Sequence, residues 1–226
     1  MGSPSLIFTL LFFASTLFLF ISQCDGSNYK DYGRVNNNVS KGVSQKVSLS
    51  VYYETLSQSC ASFIVKNLAQ VFDKDLNTIV NLKFVPWGNA YISKSTNAII
   101  CQNGPDECQQ NAVQACIIDG LHDVNKQFAL IFCIEFLVIE GRYKNWRSCF
   151  TQLGLPPKSV LDCYNSGNGT MIEVRKFANE TAQLNPPHTL LPWVLVNNQP
   201  LRNDYRNFTS YICKAYKGNA VPKACQ

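Results

Sequence analysis

The chemistry that this sequence is best equipped for is that of sulfur. Beyond residue 26 stand nine cysteines: Cys60, Cys101, Cys108, Cys116, Cys133, Cys149, Cys163, Cys213 and Cys225. Thiols pair in an oxidising compartment, so an odd set predicts up to four disulfides and at least one cysteine with no intramolecular partner. Spacing leaves the pairing open, because eight cysteines can be joined in roughly a hundred ways. Zinc is disfavoured, since no two cysteines are spaced C-x-x-C and the only histidines, His122 and His188, are far from any ligand spacing. Neither histidine accompanies a nucleophile motif such as G-x-S-x-G, and no glycine-rich phosphate loop follows a strand. The sequence therefore calls for no metal and no cofactor.

Cys60 is set apart by the elements around it. Val47, Leu49, Val51 and Tyr53 alternate with Ser48, Ser50 and Tyr52, which predicts a strand with one buried face. Cys60, Phe63, Ile64, Leu68, Val71 and Phe72 then recur at helical spacing, and Val80, Leu82 and Phe84 alternate up to Pro86. A strand, a helix and a strand at these lengths predict a parallel pair. From residue 109 to about 140 no proline interrupts a helical stretch, and residues 128–139 are apolar nearly all round, the mark of a buried helix. Trp146, Cys149, Phe150 and Leu153 form a stripe that stops at Gly154, and a short helix is expected over residues 160–164. Residues 190–196 suit a central strand that turns at Asn197-Asn198, and Tyr205, Phe208, Tyr211, Ile212 and Ala215 mark a terminal helix that ends near Gly218. Pro192 must open that strand, because inside it a proline would remove a ladder hydrogen bond. This element order resembles that of thioredoxin-like folds, in which a cis-proline at this place faces the redox motif and offers backbone groups to an extended substrate.

Composition sets the context. With 46% hydrophobic and 15% charged residues the chain can bury a sizeable core, and its 20 Lys and Arg against 15 Asp and Glu are scattered rather than clustered, which argues against nucleic-acid binding. Residues 6–21 are apolar and uncharged, so residues 1–26 read as a signal peptide, followed by a flexible polar segment, residues 27–45. No later run reaches the roughly 18 apolar residues of a membrane span, so no membrane association is expected after cleavage. Asn38, Asn168, Asn179 and Asn207 each begin an Asn-x-Ser/Thr glycosylation triplet.

The stretch Cys101-Gln102-Asn103-Gly104-Pro105-Asp106-Glu107-Cys108-Gln109-Gln110-Asn111 resembles the signature C-Q-H-G-x-x-E-C-x-x-N of the gamma-interferon-inducible lysosomal thiol reductases, or GILT family. Val85-Pro86-Trp87-Gly88-Asn89-Ala90 and Pro192-Trp193-Val194 match further, and Tyr211-Ile212-Cys213-Lys214-Ala215-Tyr216 resembles plant members. The resemblance implies an α/β, thioredoxin-like domain over residues 46–217, with an inserted, disulfide-stapled helical subdomain at about 87–188 and a tail at 218–226. It also implies a thiol–disulfide oxidoreductase that acts on disulfide-containing or unfolded polypeptides, touches them at Leu191 and Pro192, and resides in a lysosome, a vacuole or outside the cell. The signature residues Cys101, Gln102, Asn103, Gly104, Glu107, Cys108 and Asn111 are carried over residue by residue, except that Asn103 replaces histidine. Cys101, Cys108, Cys116, Cys133, Cys149, Cys163, Cys213 and Cys225 become the candidates for structural disulfides.

The family's C-x-x-C motif follows the first strand, and here that position reads Ser57-Gln58-Ser59-Cys60. In such a pair the outer thiolate attacks a substrate disulfide, and the inner thiol resolves the mixed disulfide. Ser57 has no sulfur, so this motif cannot run a two-thiol cycle. Cys60 alone, at an ordinary pKa of about 8.5, would be a few per cent thiolate at pH 7 and about 0.03% at pH 5. Three expectations follow: weak chemistry at the remaining motif thiol, Cys60; a binding module that holds polypeptide without reducing it; or a homodimer linked through Cys60.

Overall fold

The structure is a computed structural model and describes residues 46–226. The expected signal peptide, the 27–45 segment and Asn38 lie outside the described residues, as does the side chain of Asn168.

Strand β1 (Val47–Tyr53) leads through a short turn into helix α1 (Gln58–Phe63), which widens into a π-helical stretch at Ile64–Leu68 and continues as α2 (Gln70–Asp73). A 3-10 turn at Leu76–Thr78 precedes β2 (Val80–Pro86), which pairs with β1 in parallel, as predicted. Two short strands, β3 (Tyr91–Ile92) and β4 (Ile99–Ile100), form a separate hairpin that no sequence periodicity announces. Five helices follow: α3 (Pro105–Gly120), α4 (Val124–Ile139), α5 (Ser148–Leu153), α6 (Lys158–Asn165) and α7 (Asn168–Ala182). The chain then returns to the sheet as β5 (Trp193–Val196) and β6 (Gln199–Pro200), and a 3-10 stretch at Arg202–Asn207 leads into α8 (Phe208–Ala215). The sheet order is β2-β1-β5-β6, with β5 antiparallel to both neighbours. Asn197 and Asn198 turn the β5–β6 hairpin with positive φ at both residues, the twist that a two-residue hairpin needs.

Several expectations need correction. β1 is covered on both faces: Ser50 and Tyr52 are buried along with Leu49 and Val51, because helices lie on each side of the sheet. The residues of β1 that face α1, α4 and α8 join Phe63, Ile64, Leu68, Ile131 and Phe208 in one core cluster. Tyr52, Trp193 and Leu195 face α3 and α7 and join Ala115, Val174 and Phe177 in the other. Each fully buried large apolar side chain contributes about 1.5–3 kcal/mol relative to exposure. The long helical stretch divides into two helices, α3 and α4. It starts four residues earlier than expected, at Pro105, and breaks before Asp123, whose side chain caps α4 by accepting from the Asn125 N–H at 2.8 Å. α4 is not buried all round, since Phe136 is 44% exposed. α7 has no counterpart among the expected elements. The strand expected over residues 190–196 begins only at Trp193, after a cis Leu191–Pro192 peptide.

Four disulfides staple this frame. Cys116–Cys163 ties α3 to α6, Cys133–Cys149 ties α4 to α5, Cys213–Cys225 ties α8 to the C-terminal turn, and Cys101–Cys108 closes the loop that enters α3. Cys60 is the free cysteine among the described residues.

Candidate functional site

The candidate site lies where β1 hands over to α1. Ser57 occupies the N-cap position of α1 in extended conformation, but its side chain caps no backbone N–H. Its hydroxyl lies 2.9 Å from Ser59 Oγ, and Ser59 Oγ donates to the Leu191 carbonyl at 3.3 Å. Either serine can be the donor in that pair, since each hydroxyl has a single proton and a second acceptor within reach. The fold thus brings together Ser57, Ser59 and the residue before Pro192. Ser57 is half-buried, so the outer motif position remains open to solvent.

Cys60 sits one turn further in and is 0% exposed. Burial pushes its thiol up to about 12; hydrogen bonds from the Ser57 side chain and the Glu54 backbone oppose the shift only in part, and the Glu135 and Glu54 carboxyls add to it. Below the motif lies a chain of buried polar groups. Tyr53 Oη donates to Gln114 Oε1, Gln114 Nε2 donates to Glu135 Oε1, and Glu135 Oε2 has no partner. Glu135 is 0% exposed, and burial raises its pKa well above the usual carboxylate range despite the bond from Gln114. Burial likewise raises Tyr53, and ionisation of Glu135 or Cys60 would raise it further. The environment of Cys60 thus opposes ionisation from several sides.

The signature segment supports the motif from one side. Gly104 caps α3 with φ +88°, a conformation open to glycine. Glu107 folds back to accept from both the backbone N–H and the side-chain amide of Asn103, while its Oε1 is buried without a partner. Burial raises the Glu107 pKa against those two bonds. Asn111 Oδ1 accepts from the Thr55 N–H at 3.2 Å, and Thr55 Oγ1 donates to the Glu107 carbonyl at 3.3 Å. The signature helix therefore grips the backbone two residues before Ser57. Gln102 and Asn103 face solvent, and Cys101 and Cys108 are consumed in their mutual disulfide.

A third wall is formed by the segment after β2. Gly88 (φ +60°) packs so tightly on Glu54 that a Cβ there would lie 2.5 Å from Glu54 Cβ and 3.1 Å from Leu191 Cδ1. Glu54, only 4% exposed, accepts from the Asn89 N–H at 3.2 Å and from Asn89 Nδ2 at 3.4 Å. Sequence reasoning missed Glu54, Asn89, Gln114 and Glu135, because each acts through a partner more than 20 residues away. Asn179 and Asn207, two of the expected glycan acceptors, lie exposed on the surface, Asn207 with its amide bonded to Asp204. Among the described residues, no three His, Cys, Asp or Glu side chains converge as metal ligands, and no helix is long and apolar enough to cross a membrane.

The chain is similar to known proteins in sequence and fold. The chain matches the family described as gamma interferon inducible lysosomal thiol reductase (GILT) over residues 48–153. It is 38% identical over 193 residues to a gamma-interferon-responsive lysosomal thiol protein of Arabidopsis thaliana, covering 84% of this chain and 79% of the relative. It is 34% identical over 187 residues to a gamma-interferon-inducible lysosomal thiol reductase of Mus musculus, covering 80% and 73%. In fold it resembles the crystal structure of Chlamydia trachomatis DsbA, with a TM-score of 0.51 and 11% identity over 82% of this chain and 96% of that one. The fold is thioredoxin-like, and the chain belongs to the GILT family of thiol–disulfide oxidoreductases.

Proposed function

We propose that this family member binds polypeptides at the Ser59–Leu191–Pro192 face without two-thiol reduction. The observation that carries the reading is the pairing of a serine at the outer motif position with a free Cys60 that is fully buried. With its pKa pushed up to about 12, Cys60 would be thiolate in only about one molecule in 100,000 at pH 7, far less than the few per cent of an ordinary cysteine. The other eight described cysteines are held in disulfides, so none of them stands ready to resolve a mixed disulfide at Cys60. The Leu191 carbonyl keeps a second lone pair beside the one that Ser59 uses, which leaves it able to accept from a bound chain.

Burial of Cys60 also speaks against a dimer linked through it, since its sulfur offers no surface for a partner thiol. The binding partners we assign are unfolded or disulfide-containing polypeptides. The compartment is the secretory pathway, leading to a lysosome, a vacuole or the cell exterior; this reading is supported by the apolar segment at residues 6–21, the four disulfides and the lysosomal relatives. Glycan attachment at Asn38, Asn168, Asn179 or Asn207 belongs to the same reading. Fluorescence anisotropy with S-carboxymethylated insulin B chain, an unfolded probe that cannot exchange disulfides, tests the binding. Saturable binding is expected, and its absence would remove the proposed function.

A further inference from the structure

His188 lies in the loop just before Leu191, and its surroundings fix which of its ring nitrogens carries the proton. Asn89 gives both its backbone N–H and its Nδ2 to the same oxygen, Glu54 Oε2. This sets the orientation of the Asn89 amide, because the reverse flip would put Oδ1 against an oxygen that already accepts. Asn89 Oδ1 is thereby turned toward His188 Nε2, 3.0 Å away. An amide oxygen can only accept, so Nε2 is the protonated nitrogen and Nδ1 of the neutral ring carries a lone pair. The ring is half-buried, and burial lowers its pKa below the ordinary 6.5 against a weaker opposing effect of Glu54, which favours the neutral form. A relay from a buried carboxyl through an amide thus holds one imidazole in one tautomer. That leaves the Nδ1 lone pair able to meet a hydrogen-bond donor.

Two features say what that donor is. Gly88 wedges between Glu54 and Leu191, so the Asn89–His188 pair adjoins the motif face whose Leu191 carbonyl is itself an acceptor. Beside His188 opens a cavity of about 380 Å³ walled by Trp87, Ala178, Thr181, Leu184 and Pro187. An extended polypeptide presents backbone N–H groups to one side at every second residue and projects side chains between them. We propose that His188 Nδ1 is a peptide-recognition acceptor: it takes a backbone N–H of an extended polypeptide lying along Leu191–Pro192, while the cavity receives a neighbouring side chain of that polypeptide. The inference rests on the polypeptide-binding reading above and adds a residue that fixes the register of the bound chain.

The test is ¹⁵N NMR on the full chain, whose two histidines are separated by a His122→Gln variant, together with anisotropy titration of S-carboxymethylated insulin B chain. His188 is expected as the Nε2–H tautomer, with Nδ1 shifting when the B chain is added. His188→Leu, which removes the acceptor, is expected to weaken binding about tenfold, the size of effect for a peptide N–H left without a partner. B chains N-methylated at successive residues should show one position whose loss of affinity vanishes in His188→Leu, a coupling that a merely structural role would not produce. An Nδ1-protonated tautomer, or His188→Leu binding as wild type does, overturns the inference and leaves polypeptide binding standing. If the wild type does not bind the B chain, both fall. Should His188→Leu fail to fold, the tautomer and the shift of Nδ1 in the wild type still decide.

Discussion

At the scale of the residue, Cys60 is governed more by what surrounds it than by its own type. Native protein is expected to leave Cys60 unmodified by iodoacetamide at pH 7 to 9, whereas denatured protein should give one alkylated motif cysteine by mass mapping; rapid native labelling would contradict its burial. Because the folded thiol is raised to about 12, the stability tied to it is fully present below about pH 9 and is lost as pH rises from there toward 12, where the unfolded thiol ionises first. Glu135 behaves the same way at lower pH. Its folded pKa lies well above the carboxylate range, so its contribution is complete below about pH 4 and declines as pH rises, by at most about 1.4 kcal/mol per pH unit. Glu135→Gln keeps an acceptor for Gln114, removes the ionisation, and should flatten this fall in stability between pH 4 and pH 7 in urea titrations. The sequence disclosed Ser57 and the apolar stripe that begins at Cys60, and so predicted a poorly exposed thiol. It did not disclose Glu135 as a partner: within its own apolar run the residue looks like an interruption, and Gln114, 21 positions away, gives it a role only once α3 and α4 pack together.

At the scale of the element, the motif loop is held by the signature helix through single hydrogen bonds. Asn111→Ala leaves the buried Thr55 N–H without a partner and should cost about 1–3 kcal/mol in chemical denaturation, while Gln109→Ala, on the exposed side of the same helix, should cost little. The β1–α1–β2 unit, the Asn197-Asn198 hairpin and α8 were all legible, because their periodicity or turn chemistry is local. α7 was not, although Val174, Phe177, Ala178 and Thr181 do recur at helical spacing. That stripe is short and half small or polar, and it lies among two glycosylation triplets and a glycine, so its apolar signal is diluted until the sheet face supplies Tyr52 and Leu195 to pack against. β1 misled for the opposite reason: alternation is a sign of one covered face, and Ser50 and Tyr52 gave no sign that a second helical layer would cover the other.

At the scale of the molecule, disulfides tie the helices of the insertion to one another and the C-terminal turn to α8. Chain-entropy reasoning ranks them by span: removing Cys116–Cys163, 47 residues apart, should cost about 4 kcal/mol, and removing Cys213–Cys225, 12 apart, about 3 kcal/mol. Thermal unfolding of the paired alanine variants checks the order. The same frame that keeps eight thiols paired leaves the motif a single buried sulfur, which is the basis for separating family membership from reductase turnover. The direct measurement is reduction of insulin by this chain, by its Ser57→Cys variant and by its Cys60→Ser variant, at pH 5 and pH 7 with an excess of dithiothreitol. No rate above the dithiothreitol background is expected from the wild type, and a clear gain is expected from Ser57→Cys, whose new thiol occupies the solvent-open outer position beside Cys60. Robust wild-type turnover that disappears in Cys60→Ser would contradict the central claim.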